Sequence, residues 1–109
     1  MATFKFNKEN MKISEKNIEQ IKQLCKEFSV KSFSVFGSVL TDNFSSDSDI
    51  DFVVDFDEND PIKYTDLYFQ LKDKLEQILN RQIDLIEERG IKNSFFRKSI
   101  DESKVVIYG

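Results

Sequence analysis

The first clear pattern along the chain is a set of apolar residues spaced three and four apart. They are Ile18, Ile21, Leu24, Cys25 and Phe28. An α-helix repeats every 3.6 residues, so this spacing puts all of them on one side of a helix. Ser14 precedes the set and is a favourable N-cap residue. The pattern therefore predicts a helix of about 14 residues that begins just after Ser14.

The next segment changes to a period of two. Residues 31–36 alternate polar and apolar side chains, which predicts a strand with Phe33 and Val35 on one face. Gly37-Ser38 ends the strand, and a short helical turn is expected at Val39-Leu40. Residues 41–48 are mostly polar and predict a loop.

The rest of the chain continues to alternate between strands and helices. A second strand is expected at 50–56, a helix from Pro61 to about residue 80, a third strand at 82–86, a last helix at 95–100 and a final strand at 105–108. The order is α-β-α-β-α-β-α-β. The apolar face expected on the long helix is formed by Tyr64, Leu67, Tyr68, Leu71, Leu75, Ile78 and Leu79.

Composition limits the size and the chemistry of the protein. The 109 residues carry 16 Lys and Arg against 20 Asp and Glu, so the formal net charge is −4. This length suits one domain, which we expect at 14–109 after an N-terminal arm at 1–13. Because the chain has no histidine, zinc fingers, Ser-His-Asp triads and Cys-His dyads are excluded. The net acidity argues against direct DNA binding through bulk charge.

Cysteine use and the apolar runs bear on the compartment. Cys25 is the single cysteine and cannot form an internal disulfide. The chain shows no leader pattern and only short apolar runs, so neither secretion nor a membrane span is expected. These features predict a cytoplasmic protein in which Cys25 occupies a core position on the first helix.

The first candidate for chemistry is Gly37-Ser38, directly after a strand. A glycine there allows a close backbone approach to a ligand, and N–H groups of the following turn can hold phosphate oxygens. Ser38 adds a hydroxyl donor. Taken by itself, the pair is better explained as an ordinary turn.

The second candidate is Asp49-Ile50-Asp51, at the start of a predicted strand. Residues i and i+2 of a strand point the same way, so both carboxylates leave one face while Ile50 joins the core. Neighbouring carboxylates repel unless a cation lies between them, and hard oxygen ligands favour Mg²⁺. A solvated acidic strand end is the alternative reading of these residues alone.

The third candidate is Asp84, in the middle of an apolar strand. Ile83 and Leu85 occupy one face of that strand, which leaves Asp84 on the other. By itself it fits the polar side of an edge strand. If this strand lies beside that of Asp49 and Asp51, three carboxylates and a phosphate-holding turn form a two-metal phosphoryl-transfer site.

These residues carry a family resemblance. Gly37-Ser38, followed after ten residues by Asp49-Ile50-Asp51, resembles the motif of the minimal nucleotidyltransferases of the DNA polymerase β-like superfamily. Asp84 stands where that family has its third aspartate. The resemblance covers residues 14 to 109 and implies an α/β (α+β) nucleotidyltransferase fold, with a mixed β-sheet flanked by helices.

The resemblance also implies a function. Stand-alone members are commonly antitoxins that transfer AMP from ATP to a tyrosine of a HEPN-domain ribonuclease toxin and so neutralise it. By that likeness, Gly37 and Ser38 would hold the nucleoside triphosphate, and Asp49, Asp51 and Asp84 would be catalytic ligands of two Mg²⁺ ions. Asp84 would also help to take the proton from the tyrosyl hydroxyl.

The chain departs from the family pattern in one place. Many relatives have Ala-Arg-Gly near the position of Leu40-Thr41-Asp42, and the arginine is missing here. Its absence removes a cation from the nucleotide side of the loop, a charge that Lys31 or Lys63 would have to supply. The rate of transfer and the nucleotide preference are the properties that this departure affects.

Alternative functions remain open at this point. A chain of this length has no second domain to hold an acceptor, so a protein acceptor is expected. The protein could instead neutralise its toxin by binding alone, with an idle site, or could modify a small molecule such as an aminoglycoside. Exposed phenylalanines among Phe69, Phe95 and Phe96 would suit a partner, although most of the phenylalanines are expected in the core.

Overall fold

The computed structural model describes residues 13–42, 44–45 and 47–109. The helices are α1 (Glu15–Glu27), α2 (Pro61–Leu79) and α3 (Ser94–Ser103). The strands are β1 (Val30–Phe36), β2 (Ile50–Phe56), β3 (Ile83–Glu87) and β4 (Val105–Tyr108). Short 3₁₀ turns span Gly37–Leu40 and Glu88–Gly90. The predicted order is confirmed, with the turn after β1 as its second helical element.

The first helix forms as the apolar spacing predicts. The Asn17 N–H donates to the Ser14 hydroxyl over 3.1 Å, so Ser14 caps the helix. The predicted apolar face is buried at Ile18, Ile21, Leu24 and Cys25, with Phe28 packed beside it. Burial raises the pKa of the Cys25 thiol to about 12, as expected for a core cysteine.

The second helix has signals at both of its ends. The Asp60 carboxylate accepts hydrogen bonds from the N–H groups of Ile62 and Lys63, and Pro61 occupies the first helical position. Asn80 adopts a left-handed conformation with φ of 52° and ends the helix. All of the predicted face packs on the core, with Tyr64, Leu71 and Leu75 buried most deeply.

The four strands form a mixed sheet in the order β3-β2-β1-β4. β1 is antiparallel to both β2 and β4, whereas β2 and β3 are parallel. The mixed sheet with helices confirms the predicted fold class. Its centre is β1 and β2, which carry the most buried side chains of the core.

Strand alternation separates the two faces of the sheet. Phe33, Val35, Phe52 and Val54 are fully buried, and the rings of Phe33 and Phe52 stack with centroids 4.8 Å apart. The opposite face of β2 carries Asp51, Val53 and Asp55. Val53 is also buried, at 3% exposure, so this second face is covered at its centre and open at its ends.

A few expectations need adjustment or lie beyond the described residues. The last helix spans Ser94–Ser103 and is longer than the predicted 95–100. Asn93 caps its start through the Phe96 N–H, and the Lys104 N–H donates to the Ile100 carbonyl over 2.8 Å at its end. The arm predicted at 1–13 lies outside the described residues except for Ile13, which is buried. Within the described ranges, no helix is long and apolar enough to cross a membrane.

Candidate functional site

Three aspartates meet at one end of the sheet. Asp51 of β2 and Asp84 of β3 are register partners in a parallel pair, and neighbouring strands lie about 4.8 Å apart. Asp49 comes directly before β2, two residues from Asp51, and so points to the same side. Both strands begin at this end, which places all three residues beside one another. The condition set by the sequence, that the two strands be neighbours, is met.

The electrostatics of Asp51 record this clustering. Its carboxyl is half-buried, and its pKa is raised by that burial and by the nearby carboxylates of Asp84 and Asp49. Asp49 and Asp84 are exposed to solvent. The arrangement therefore concentrates negative charge around one partly desolvated carboxylate, a combination that a cation relieves.

Gly37 lies against this cluster. It has φ of +83°, in the left-handed region that favours glycine. A Cβ added at residue 37 would collide with the Asp51 carboxylate oxygen Oδ2. Both the backbone conformation and the space therefore require glycine here. The close approach arises because Phe36, its neighbour, is paired with Asp51 across β1 and β2.

Ser38 follows within the 3₁₀ turn. Its carbonyl oxygen accepts hydrogen bonds of 2.9 Å from both the backbone N–H and the hydroxyl of Thr41. The Ser38 side chain is half-exposed. The hydrogen bonds from Thr41 thus close the C-terminal end of the turn, and Gly37, its first residue, lies beside Asp51.

The donor set suits a hard cation that brings ligands of its own. Within the described residues, no three Asp, Glu, Cys or His side chains are grouped closely enough to hold a metal ion by themselves. Mg²⁺ ordinarily binds through one or two carboxylates and completes its shell with water and substrate phosphates. The oxygen-only cluster of Asp49, Asp51 and Asp84, with its mutual repulsion, fits that manner of binding.

Arg81 is a site residue that the sequence reasoning missed. Its Nη1 donates to the carbonyl oxygens of Ser45 and Ser48, over 3.2 and 2.7 Å. Its guanidinium also lies over the Phe44 ring, 4.5 Å from the centroid. Arg81 follows α2 and thereby fastens the loop that leads into Asp49. No local pattern signals this role, because the contacts span more than 30 residues of sequence.

Neither Lys31 nor Lys63 lies near the loop in which the family's arginine is missing. Residues 37–49 contain no Lys or Arg. Lys31 is near the start of β1 and Lys63 is in the first turn of α2, both at the end of the sheet away from Gly37. Arg81, rather than either lysine, brings positive charge to this loop.

Asp55 belongs to a separate contact at the other end of β2. Its Oδ1 accepts a hydrogen bond from Arg89 Nε over 3.0 Å and lies 2.9 Å from Arg89 Nη2 in an ion pair. Arg89 also donates to the carbonyl oxygens of Phe56 and Glu58, and its guanidinium lies 4.3 Å from the Tyr64 ring centroid. Asp55 is thus committed to an ion pair away from the cluster of Asp49, Asp51 and Asp84.

A surface pocket of about 370 Å³ lies away from the aspartates. It is lined by Tyr64, Thr65, Tyr68, Phe69, Lys72 and Glu87. These residues belong to α2 and to the last position of β3, whereas Asp84 is the second residue of β3. None of the three clustered aspartates takes part in this pocket.

The chain is similar in sequence to known proteins. The family described as polymerase beta, nucleotidyltransferase matches residues 19–109 of the chain. A Methanocaldococcus jannaschii protein with the provisional name protein adenylyltransferase MJ1379 is 33% identical over 100 residues. That alignment covers 84% of this chain and 99% of the relative.

Solved structures share the fold. One, of a provisional minimal nucleotidyltransferase, superimposes with a TM-score of 0.70 at 28% identity, covering 83% of this chain and 88% of that chain. Another is a tri-AMPylated Shewanella oneidensis HEPN toxin in complex with its MNT antitoxin. It matches with a TM-score of 0.61 at 21% identity, covering 89% of this chain and 73% of that chain.

Proposed function

Because this chain belongs to the polymerase β nucleotidyltransferase family, we propose that it transfers AMP from ATP to a tyrosine of a HEPN-domain toxin and so acts as its antitoxin. The observation that carries the proposal is the meeting of Asp49, Asp51 and Asp84 beside Gly37, at the start of β2 and β3. The relative named as a protein adenylyltransferase and the AMPylated toxin complex support the protein acceptor.

The position of each residue supports the role that is proposed for it. Gly37 and Ser38 hold the triphosphate, because the glycine lets the backbone come close and the serine offers a hydroxyl donor. Asp49 and Asp51 would bind both Mg²⁺ ions, and Asp84 would complete one of the two positions. When bound, the ions neutralise the phosphates and lower the pKa of the attacking hydroxyl.

The reaction balances as a displacement at phosphorus. The tyrosyl oxygen forms a bond to the α-phosphorus of ATP, while the bond from that phosphorus to the bridging oxygen of the β-phosphate breaks. Pyrophosphate leaves, and the phenolic proton moves to the exposed carboxylate of Asp84. We assign this role to Asp84 because its carboxylate is exposed and lies on β3, across from Asp51.

The experiment is intact-mass spectrometry of the protein encoded by the neighbouring gene, which the proposal expects to be a HEPN-domain toxin, after incubation with this protein, ATP and Mg²⁺. We expect a mass increase of one or more AMP units on a tyrosine, and loss of the partner's ribonuclease activity. A parallel sample with EDTA in place of Mg²⁺ should show no transfer.

Asp51→Asn is the matched variant for this experiment, because asparagine preserves size while removing the charge. Loss of transfer together with an intact complex supports catalysis by the carboxylate cluster. Full neutralisation of the toxin by Asp51→Asn would overturn catalysis and leave an antitoxin that acts by binding alone. That second function is favoured by one observation, the lack of any Lys or Arg in residues 37–49.

A further inference from the structure

Helix α3 exposes two neighbouring aromatic side chains. Phe95 is 85% exposed and Phe96 is 39% exposed, while Ile100 of the same helix is buried. The burial of Ile100 fixes which side of α3 faces the protein and leaves Phe95 outward. Aromatic side chains offer large contact areas when they are covered, about 150–250 Å² each. Neither ring is needed to fill the core described above.

This aromatic surface is continuous with the carboxylate cluster. The Phe96 ring packs edge-to-face on Phe36, with centroids 6.2 Å apart at 72°. Phe36 is paired with Asp51 across β1 and β2, and directly opposed residues point to the same face of a sheet. A single side chain, Phe36, therefore separates Phe96 from the carboxylate to which the acceptor hydroxyl must come.

Charge indicates what kind of surface would cover it. Residues 91–104 carry four Lys or Arg and two Asp or Glu, in a chain whose formal net charge is −4. Arg97 pairs with Glu88, Lys98 lies 3.8 Å from Glu102 and Lys104 lies 3.2 Å from Asp101. Lys92, three positions before Phe95 in the sequence, is exposed. Helix α3 and its flanking residues thus combine two exposed aromatic rings with a net excess of two basic residues, in a chain that is acidic as a whole.

The size of the surface argues against a second copy of this chain. A stable dimer buries about 800 Å² on each partner. The two phenylalanine side chains by themselves provide about 300–500 Å², which is below that area. A small aromatic patch beside a site is instead suited to a substrate that must bind, react and leave.

We propose that Phe95 and Phe96 form a docking platform for the protein acceptor. The platform receives an apolar or aromatic segment with acidic flanks, close in space to the hydroxyl that is modified. The inference rests on the proposed function, since the occupant is the substrate of the same site. It assigns acceptor recognition to α3, which lies outside the nucleotide and metal residues.

The test compares Phe95→Ser and Phe96→Leu with Phe69→Ser. Phe69 is a matched control because it is 62% exposed but lies on α2, beside the pocket away from the aspartates. The readouts are the KM of AMP transfer to the acceptor protein of the proposed function, the KM for ATP, and the Kd of the same pair of proteins without ATP. Phe95 is exposed enough that its replacement should not disturb folding.

We expect Phe95→Ser to raise the acceptor KM and the Kd by at least about tenfold. The KM for ATP should not move, Phe96→Leu should have a smaller effect, and Phe69→Ser should behave like the wild type. An unchanged acceptor KM and Kd in Phe95→Ser would overturn the proposal, as would an equal loss in Phe69→Ser.

The failure of the proposed function would be visible separately. If the wild type binds the partner but transfers no AMP, the proposed reaction is wrong, and the Kd values alone decide whether α3 is the docking surface. If the wild type neither binds nor modifies the partner, both proposals are overturned.

Discussion

At the scale of single residues, the site depends on a contact between a glycine and a carboxylate. Gly37 adopts φ of +83°, and the space where its side chain would be is filled by the Asp51 carboxylate. Asp51 in turn is held among carboxylates that raise its pKa. Gly37 is therefore constrained by its backbone conformation and by space, and Asp51 by the charges around it.

Gly37→Ala is expected to displace Asp51. The left-handed backbone costs an alanine about 1–2 kcal/mol, and the added Cβ forces the carboxylate out of position. Misplacement of a reacting group by 1 Å costs on the order of 100-fold in rate, so transfer should fall by about that factor. Gly90→Ala is the control, because a Cβ there makes only an ordinary contact at 3.7 Å and its activity should be unchanged.

Asp51→Asn is expected to stabilise the metal-free protein while abolishing transfer. Because its pKa is raised, the Asp51 carboxyl keeps its proton to a higher pH in the folded protein than in the unfolded chain. Stability therefore falls as the pH rises from the ordinary value of 3.8, and asparagine removes that loss. Urea denaturation in EDTA at neutral pH should give a higher midpoint for the variant.

The response to Mg²⁺ and a control variant on α2 test this explanation. Addition of Mg²⁺ should raise the urea midpoint of the wild type more than that of Asp51→Asn, because the cation relieves the same repulsion. Asp66→Asn, at an exposed position of α2, should leave the midpoint unchanged. A lower midpoint for Asp51→Asn in EDTA would show that its charge is stabilised by contacts other than the metal.

At the scale of elements, strand β2 is fastened at both ends by arginines. Arg81 holds the loop before the strand through two carbonyl oxygens and the Phe44 ring. Arg89 holds the other end through Asp55 and two further carbonyl oxygens. The two residues make similar contacts, but only Arg81 lies beside the candidate site, so they form a natural pair for mutagenesis.

Arg81→Ala should weaken magnesium-dependent ATP binding by about tenfold, the lower end of what loss of an outer ligand-positioning partner costs. Arg89→Ala should instead lower the free energy of unfolding by about 1–3 kcal/mol, since it leaves Asp55 without its partner, and should leave ATP affinity unchanged. Isothermal titration with Mg²⁺ and a non-hydrolysable ATP analogue, together with urea denaturation, separates the two effects. Equal loss of ATP affinity in both variants would mean that β2 transmits the disturbance as a unit.

The same elements indicate what sequence reasoning can reach. Periodicity and capping residues predicted α1 and the bounds of α2 to within one residue. Strand alternation predicted that Asp49 and Asp51 point to the same side. These features depend on residues that are close in sequence. The side-by-side placement of Asp51 and Asp84 was only conditional, since it depends on β2 and β3 pairing in parallel. Arg81 was missed because its partners lie 33 and 36 residues away.

At the scale of the whole molecule, the candidate site is open at one end of the sheet. Asp49 and Asp84 are exposed, and the pocket of about 370 Å³ is lined by residues of α2 and the end of β3. Glu87 of that pocket is three positions beyond Asp84, or about 10 Å along the strand. A small acceptor held in the pocket would therefore lie apart from the carboxylates.

This separation predicts a preference for a macromolecular acceptor. With ATP and Mg²⁺, tyrosine amide or an aminoglycoside should receive AMP at least about 100-fold more slowly than the folded HEPN protein, because neither is held near the carboxylates and orientation supplies much of the rate. Mass spectrometry of the small molecules, with the HEPN protein as the positive control in the same enzyme preparation, measures the ratio. Comparable rates for the small molecules and the HEPN protein would contradict a role for the partner's surface and would favour a small-molecule transferase. A large rate ratio in favour of the HEPN protein that becomes smaller in Phe95→Ser would show that the preference depends on α3.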